Sequence, residues 1–109
     1  MAWKQDDMKS TTVSVQKREG KATIVSVTAS PTTVRPGDNI TIKGVIRNDG
    51  GRDWIKMIIG IQEYLEDLVE VQTWDAHPGD DFMLQATFTI PSDCTRNSLT
   101  AVAIGYHQE

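Results

Sequence analysis

The histidine and cysteine residues, which could ligate zinc or supply a nucleophile, are few in this sequence and lie far apart along the chain. They are two histidines, His77 in a turn and His107 near the last residue, and one cysteine, Cys94. A zinc site needs three or four converging ligands. Cys94 lies in a polar loop with no neighbouring base to activate its thiol. The sequence therefore predicts neither a metal centre nor a nucleophilic cysteine.

Acidic residues crowd three segments, where they suggest calcium binding or catalysis by paired carboxylates. The regular Asp-x-Asp-x-Asp-Gly spacing of calcium loops is absent, and nothing apolar and concave is indicated around the third group. Two groups are calcium candidates, Asp49 with Asp53 and Asp75 with Asp80 and Asp81; the third consists of Glu63, Glu66, Asp67 and Glu70. We expect solvated loops with no catalytic residue and no cofactor, and calcium binding stays an alternative.

The large aromatic side chains are the remaining candidates for binding. Trp3, followed by Lys4, precedes every predicted strand and lies in a polar segment that cannot bury it locally. Tryptophan often anchors interfaces, so docking of Trp3 on another chain is one hypothesis and a solvent-exposed ring is the other. Trp54, Tyr64 and Trp74 would form a platform for a carbohydrate if they shared a face. The alternative is that Trp54 and Trp74 lie at the rim of the core.

The composition indicates the fold that must position these residues. The 109 residues include 31 β-branched side chains (12 Thr, 10 Ile and 9 Val) against 7 Ala and 4 Leu. Branched side chains fit a pleated strand better than a helix, and the length suits one domain. The net charge of −4 disfavours nucleic acid as a partner. With no run of 18 apolar residues and a polar start, we expect no membrane partner and no signal peptide.

The chain divides into a basic arm and an acidic body. Residues 1–21 carry a net charge of +2, whereas residues 22–109, the predicted domain, carry −6. Polar and apolar residues alternate within the arm, which predicts an extra strand at 11–18 with Val13 and Val15 on one side. Such a strand would pair with a sheet edge, on its own domain or on a neighbouring copy. A frayed terminus is the alternative.

Alternation of apolar and polar residues predicts seven to eight short strands about ten residues apart. The clearest runs from Asn39 to Asn48, where Ile40, Ile42 and Ile46 share one side and Gly44 marks a bulge or a close contact. Trp54 to Ile61 is almost continuously apolar, as expected for a central strand. This spacing is typical of an immunoglobulin-like two-sheet sandwich, so the sequence predicts an all-β fold of that kind preceded by the arm.

Three segments carry strong turn signals. Arg35-Pro36-Gly37-Asp38 and His77-Pro78-Gly79-Asp80 place proline at the second position, where its fixed φ is favourable, and glycine at the third, where φ is positive. Asn48-Asp49-Gly50-Gly51 predicts a hairpin, because these residues tolerate left-handed backbone.

Residues 61–70 allow two interpretations. Ile61, Leu65, Leu68 and Val69 have helical spacing, with acidic residues mostly opposite, which is typical of a short amphipathic helix. A turn at 64–67 followed by a strand at 68–74 fits the alternation after Leu68 better, and the helix would lack an N-cap. We favour the strand.

The order of these strands and turns resembles that of the CARDB domains, immunoglobulin-like modules related to bacterial cell adhesion. The resemblance spans residues 24–106 and rests on Val34-Arg35-Pro36-Gly37-Asp38, Val45-Ile46-Arg47-Asn48-Asp49-Gly50 and Pro78-Gly79-Asp80. It implies a non-catalytic binding or spacer module of microbial surface proteins, which also serves as an accessory domain on virus particles.

The leading functional expectation is a non-catalytic structural protein that binds other proteins through its arm and loops. A virion accessory subunit, either a capsid decoration or a tail protein, is the expected setting, with self-association as one form of partner. A cell-surface adhesion or carbohydrate-binding module is the alternative, if the chain is a fragment of a larger secreted protein.

Overall fold

Six β-strands in two antiparallel sheets make up most of the part of the chain that the structure describes. The computed structural model describes residues 3–13 and 19–108. One sheet has the order β1-β2-β5 and the other β4-β3-β6. The strands are β1 (Ala22–Ser30), β2 (Asn39–Asn48), β3 (Asp53–Ile61), β4 (Val69–Ala76), β5 (Asp81–Thr89) and β6 (Ala101–His107). The predicted all-β class is confirmed.

The core lies between the two sheets and is built mainly from isoleucine. The alternating side of β2 predicted to be apolar is buried, with Ile42 and Ile46 fully enclosed. These side chains face Ile55, Met57 and Ile59 of β3 across a single core. Because β2 and β3 are the central strands of their sheets, neighbours cover each of them on both sides, as the continuous apolar run of β3 predicted.

The close contact predicted at Gly44 joins the two sheets. A Cβ atom on Gly44 would lie 2.9 Å from Met57 Sδ and 2.9 Å from Ile59 Cγ2. The bulge, in contrast, lies on the neighbouring strand β1, where the register shifts between Ile24 and Ser26. Glycine at 44 therefore lets the central strands of the two sheets approach each other.

Residues 61–70 contain no α-helix. A single 3-10 turn spans Gln62–Tyr64, and β4 begins at Val69. Leu68 N–H and Asp67 N–H both donate to Tyr64 O, which closes the turn. The turn-then-strand interpretation is therefore confirmed. The short turn connects β3 to its antiparallel neighbour β4.

Two sequence expectations about the architecture need correction. The described residues form six strands, fewer than the seven to eight predicted; residues 11–13 are not in a strand, and 14–18, with Val15, lie outside the described residues. The hairpin at Asn48-Asp49-Gly50-Gly51 is also wrong, because β2 and β3 belong to different sheets. Positive φ is confined, among the described glycines, to Gly37 and Gly79. The glycine-rich segment instead carries the chain from one sheet to the other.

Asn48 organises that crossing. Its side chain is fully buried and makes four hydrogen bonds: Nδ2 donates to Gly51 O at 2.8 Å and to Ala76 O at 3.1 Å, and Oδ1 accepts from Gly50 N at 3.0 Å and Lys21 N at 3.1 Å. One amide thus ties the start of β1, the crossing and the end of β4 together. Asparagine is a strong turn former, but here Asn48 is used for a buried hydrogen-bond network. This explains why the segment gave a misleading hairpin signal.

The folded domain starts just before β1. Gly51 N donates to Glu19 O and Asp49 N donates to Lys21 O, so residues 19–21 run alongside the crossing. Gly20 is buried, and its N–H donates to Asp53 Oδ2 at 3.3 Å. Residues 19–21, assigned to the arm by charge, are thus bonded to the domain.

The two Pro-Gly-Asp turns have the predicted geometry and share one design. Gly37 and Gly79 have φ of 89° and 84°. In each turn the aspartate Oδ2 accepts a 2.9 Å hydrogen bond from the backbone N–H three residues earlier, at Arg35 and at His77. The first turn then bonds to Ile90 just beyond β5, and the second bonds to Asn48 at the end of β2. The same turn therefore closes the β2–β5 ladder at both ends.

Candidate interaction site

The described part of the arm leaves its apolar side chains in solvent. Trp3 is 96% exposed, Val13 80% and Met8 75%. Lys4 beside Trp3 is exposed as well. An arm that presents large apolar groups without covering them on its own domain can bury them only against another surface.

The structure does not bring Trp54, Tyr64 and Trp74 together. Trp54 is half-exposed on the solvent side of β3, where it pairs with Asp75 of β4. Trp74, one position earlier on β4, points to the other side and stacks on Phe82 of the opposite sheet at 5.1 Å between ring centroids. Tyr64 packs against the core from the turn after β3. A shared carbohydrate platform of these three rings is absent because neighbouring strand positions face opposite ways.

The solvent side of the β4-β3-β6 sheet is unusually apolar. Register places one row of large side chains across the three strands, Val71, Ile58 and Ile104, with Val69 and Val102 in the adjacent row. On β6 it is the small residues that face the core: a Cβ on Gly105 would lie 3.2 Å from Ile46 Cδ1. The large residues of β6 are consequently turned outward.

The solvent side of the other sheet differs in character. Its solvent-side positions on β2 and β5 are mostly polar or charged, apart from the paired Val45 and Met83, and Thr41 and Thr87 share a 2.9 Å hydrogen bond across the strands. A solvated sheet face normally has such a composition. The contrast marks the β4-β3-β6 face as the surface suited to binding.

One end of this apolar face forms a concavity of about 490 Å³. Trp54 and Tyr106 supply its aromatic surface, and Lys56 places its Nζ 4.9 Å from the centroid of the Tyr106 ring. Thr73 and Gln108 contribute polar groups. Sequence reasoning singled out Trp54 but missed Tyr106 and Lys56. Their relation depends on the β3–β6 register, although the alternation Val102-Ile104-Tyr106 already hinted at one apolar side of β6.

The aspartates named as calcium candidates make ion pairs and hydrogen bonds within the fold. Asp49 forms an ion pair with Arg47 at 2.6 Å, and Asp75 forms one with Arg52 at 2.9 Å; the pKa of each carboxyl is lowered, first of all by the hydrogen bond from its arginine. The carboxylate of Asp53 accepts from the backbone N–H groups of Trp54 and Gly20. Within residues 3–13 and 19–108, no three His, Cys, Asp or Glu side chains are grouped to hold a metal ion.

Glu63 fixes the entry to β6. Its carboxylate accepts from Thr100 N at 2.9 Å and from Thr100 Oγ1 at 2.8 Å. The backbone hydrogen bond is the main cause that lowers the pKa of Glu63. The neighbouring acidic residues Glu66, Asp67 and Glu70 are exposed, so this segment forms no buried carboxylate pair.

The candidate nucleophile and histidines are also separate. Cys94 is a partly buried thiol beside Tyr64, and their hydrogen bond is the main cause that raises the pKa of Tyr64. His77 belongs to the second Pro-Gly-Asp turn. His107 lines the concavity, and its Nε2 lies 4.0 Å from Glu19 Oε2. This arrangement pairs no base with the thiol.

Comparisons with protein-family models, with characterised proteins and with solved structures gave no match to this chain. In the part of the chain that the structure describes, no helix has the length and apolar character to span a bilayer.

Proposed function

We propose that this chain is a non-catalytic structural protein that binds neighbouring protein surfaces through its arm and loops. The observation that carries the proposal is the arm itself, whose Trp3, Met8 and Val13 are largely exposed. Burying an exposed large apolar side chain stabilises a complex by about 1.5–3 kcal/mol, so each is a potential anchor. Outside the arm, most of the described residues form the two three-stranded sheets and their connections.

The finer fold in this proposal is an immunoglobulin-like sandwich of the CARDB kind. The order β1-β2-β5 and β4-β3-β6 fits six strands of such a sandwich, in which a further strand pairs with the free edge of β6. The alternating segment 11–18 would supply this strand from a neighbouring copy, with Val13 and Val15 on one side. Val15 lies outside the described residues, so sequence pattern alone supports its part.

The setting we propose is a virion, with the chain as a capsid decoration or tail subunit. The support is the resemblance to domains that serve as accessory modules on virus particles, together with an arm suited to docking. Antibodies raised against the purified chain should label virus particles from its source. Labelling confined to cell envelopes would contradict this setting and favour adhesion.

Deletion of residues 1–10 tests the assembly role. We expect the intact chain to sediment as a concentration-dependent oligomer and the deleted chain as a monomer with unchanged circular dichroism. A chain with Gln5→Ala and Ser10→Ala, which keeps the apolar anchors, is the matched control and should assemble normally. Identical sedimentation of intact and deleted chains at every concentration would contradict the proposal.

A carbohydrate-binding surface module is the second candidate, and the concavity is the observation in its favour. Trp54 and Tyr106 offer ring faces next to polar Thr73 and Gln108, and sugars stack on exposed aromatic rings in this way. Binding on a glycan array with a change in tryptophan fluorescence would support it. The absence of both signals with the intact chain would eliminate this candidate.

A further inference from the structure

We propose that the concavity formed by Trp54, Lys56 and Tyr106 is the receptor for Trp3 of a second copy of this chain. The inference rests on the proposed assembly role and names the surface that receives the arm. Trp3 is the most exposed aromatic side chain among the described residues. The concavity, called the hollow below, is lined by aromatic residues that could receive it.

The hollow suits an indole ring. Its volume of about 490 Å³ falls in the range of about 300–1,000 Å³ typical of sites that bury a small ligand. Trp54 and Tyr106 are 51% and 44% exposed, so both rings have surface left for a third ring to pack against in an offset or edge-to-face geometry. Lys56 adds a cation beside the ring positions.

The polar groups of the lining match the one polar atom of the indole. A buried tryptophan N–H needs an acceptor. Thr73 and Gln108 both line the hollow, and the side chain of each carries an acceptor oxygen. An incoming Trp3 can therefore be buried without an unsatisfied donor.

Charge favours the arm of another copy. The arm carries +2 and the body −6, so arm and body of two copies attract each other. In the described structure Trp3 touches little of its own domain, being 96% exposed, which favours a second copy as the receptor.

The test uses full-length chains and complementation between two variants. Trp3→Ala removes the inserted indole ring, here called the knob, and leaves the hollow intact. Trp54→Ala damages the hollow and leaves the knob intact. We expect each variant alone to associate at least about 30-fold more weakly than the natural chain, since a buried tryptophan anchor contributes about 2 kcal/mol or more. An equimolar mixture should form one-to-one heterodimers in sedimentation equilibrium, because one intact knob meets one intact hollow.

Two matched controls guard against a general loss of fold or of apolar surface. Gln5→Ala changes an exposed polar residue of the arm, and Met83→Ala trims an exposed apolar residue on the solvent side of the opposite sheet. Both should associate like the natural chain. Circular dichroism of Trp54→Ala should match that of the natural chain, and Tyr106→Ala serves as a second hollow variant.

The outcomes separate this inference from the proposed function. If Trp3→Ala abolishes association while both Trp54→Ala and Tyr106→Ala associate normally, the arm binds elsewhere: the inference fails and the assembly role stands. If the natural chain is a monomer and deletion of residues 1–10 changes nothing, both fail. A blue shift of Trp3 fluorescence without any change in mass would show docking within one chain and would overturn the second-copy receptor. A saccharide that fills the hollow without competing with association would do the same.

Discussion

Asn48 shows how one polar residue can hold a domain of this size together. Its four side-chain hydrogen bonds satisfy backbone groups from three separate segments, in a position closed to water. A buried backbone group that loses its partner costs about 1–3 kcal/mol. Loss of Asn48 therefore leaves backbone groups without partners, whereas loss of an apolar neighbour in the core removes packing.

Replacement of Asn48 by alanine should strongly destabilise the fold. We expect a loss of about 3 kcal/mol or more in the free energy of unfolding, because four backbone groups lose their partner together. Urea denaturation measures it. Asn39→Ala is the matched control: Asn39 lies on the same strand, is exposed and accepts one bond from Thr89. A similar loss for both variants would contradict the role assigned to Asn48.

Glu63 gives stability a defined dependence on pH. Its pKa in the folded chain is lowered from an ordinary value near 4.5, first by the Thr100 backbone hydrogen bond. A lowered folded pKa means that the stabilisation is complete above the unfolded value and disappears as pH falls through the folded value. Glu63→Gln should thus be less stable than the natural chain at pH 7, and this difference should shrink below pH about 4.

Urea denaturation of both chains at neutral and acidic pH checks this expectation. Glu66→Gln, an exposed neighbour on the same turn, is the control and should leave stability nearly unchanged at both pH values. A difference for Glu63→Gln that stays constant with pH would show that the carboxylate charge is unimportant.

At the scale of elements, the sequence predicted what is local. Alternation located β2, a nearly continuous apolar run located β3, and the proline–glycine spacing predicted both turns, because these signals depend on a few neighbouring residues. Strand pairing brings together residues far apart in sequence, so the sheet order and the sides of Trp54 and Trp74 could not be read. At Asn48-Asp49-Gly50-Gly51 the local signal misled, since a buried network outweighed the turn preference.

In the Pro-Gly-Asp turns, a side chain in place of the glycine should destabilise the fold, and more so if it resists positive φ. Gly79 has φ of 84°, and a Cβ there would meet nothing within 4 Å, so its cost is conformational alone. Gly79→Ala should lose about 1 kcal/mol in the free energy of unfolding. Gly79→Asn should lose less, because asparagine tolerates the left-handed region. Equal stability of all three chains in urea would contradict this account.

The two sides of β3 should respond differently to the same substitution. Ile59 is fully buried between the sheets, whereas Ile58 lies on the apolar solvent side. Ile59→Ala should cost about 2–5 kcal/mol, and Ile58→Ala about 1 kcal/mol or less. Thermal or urea unfolding of the two variants, one residue apart, compares them directly. Equal losses would mean that the outer face is covered within the monomer.

At the scale of the whole molecule, the separation of charge between arm and body controls association. The arm is basic and the body acidic, so attraction between copies is long-ranged at low salt and is screened within about 10 Å at 0.1 M. Raising the ionic strength from about 0.05 M to about 0.5 M should weaken self-association several-fold. Sedimentation equilibrium in sodium chloride measures this, and association that strengthens with salt would indicate a purely apolar interface.

The matching turns at the two ends of the β2–β5 ladder fix how long that ladder can be. Each turn leads into one strand and bonds to the end of the other, so a residue inserted in β2 alone would pull one turn away from its partner. Length differences among homologous chains should therefore occur in β2 and β5 together, or outside both strands. Evolution can lengthen loops that lie away from these turns and from the Asn48 crossing, but it can change the β2–β5 ladder only in matched steps.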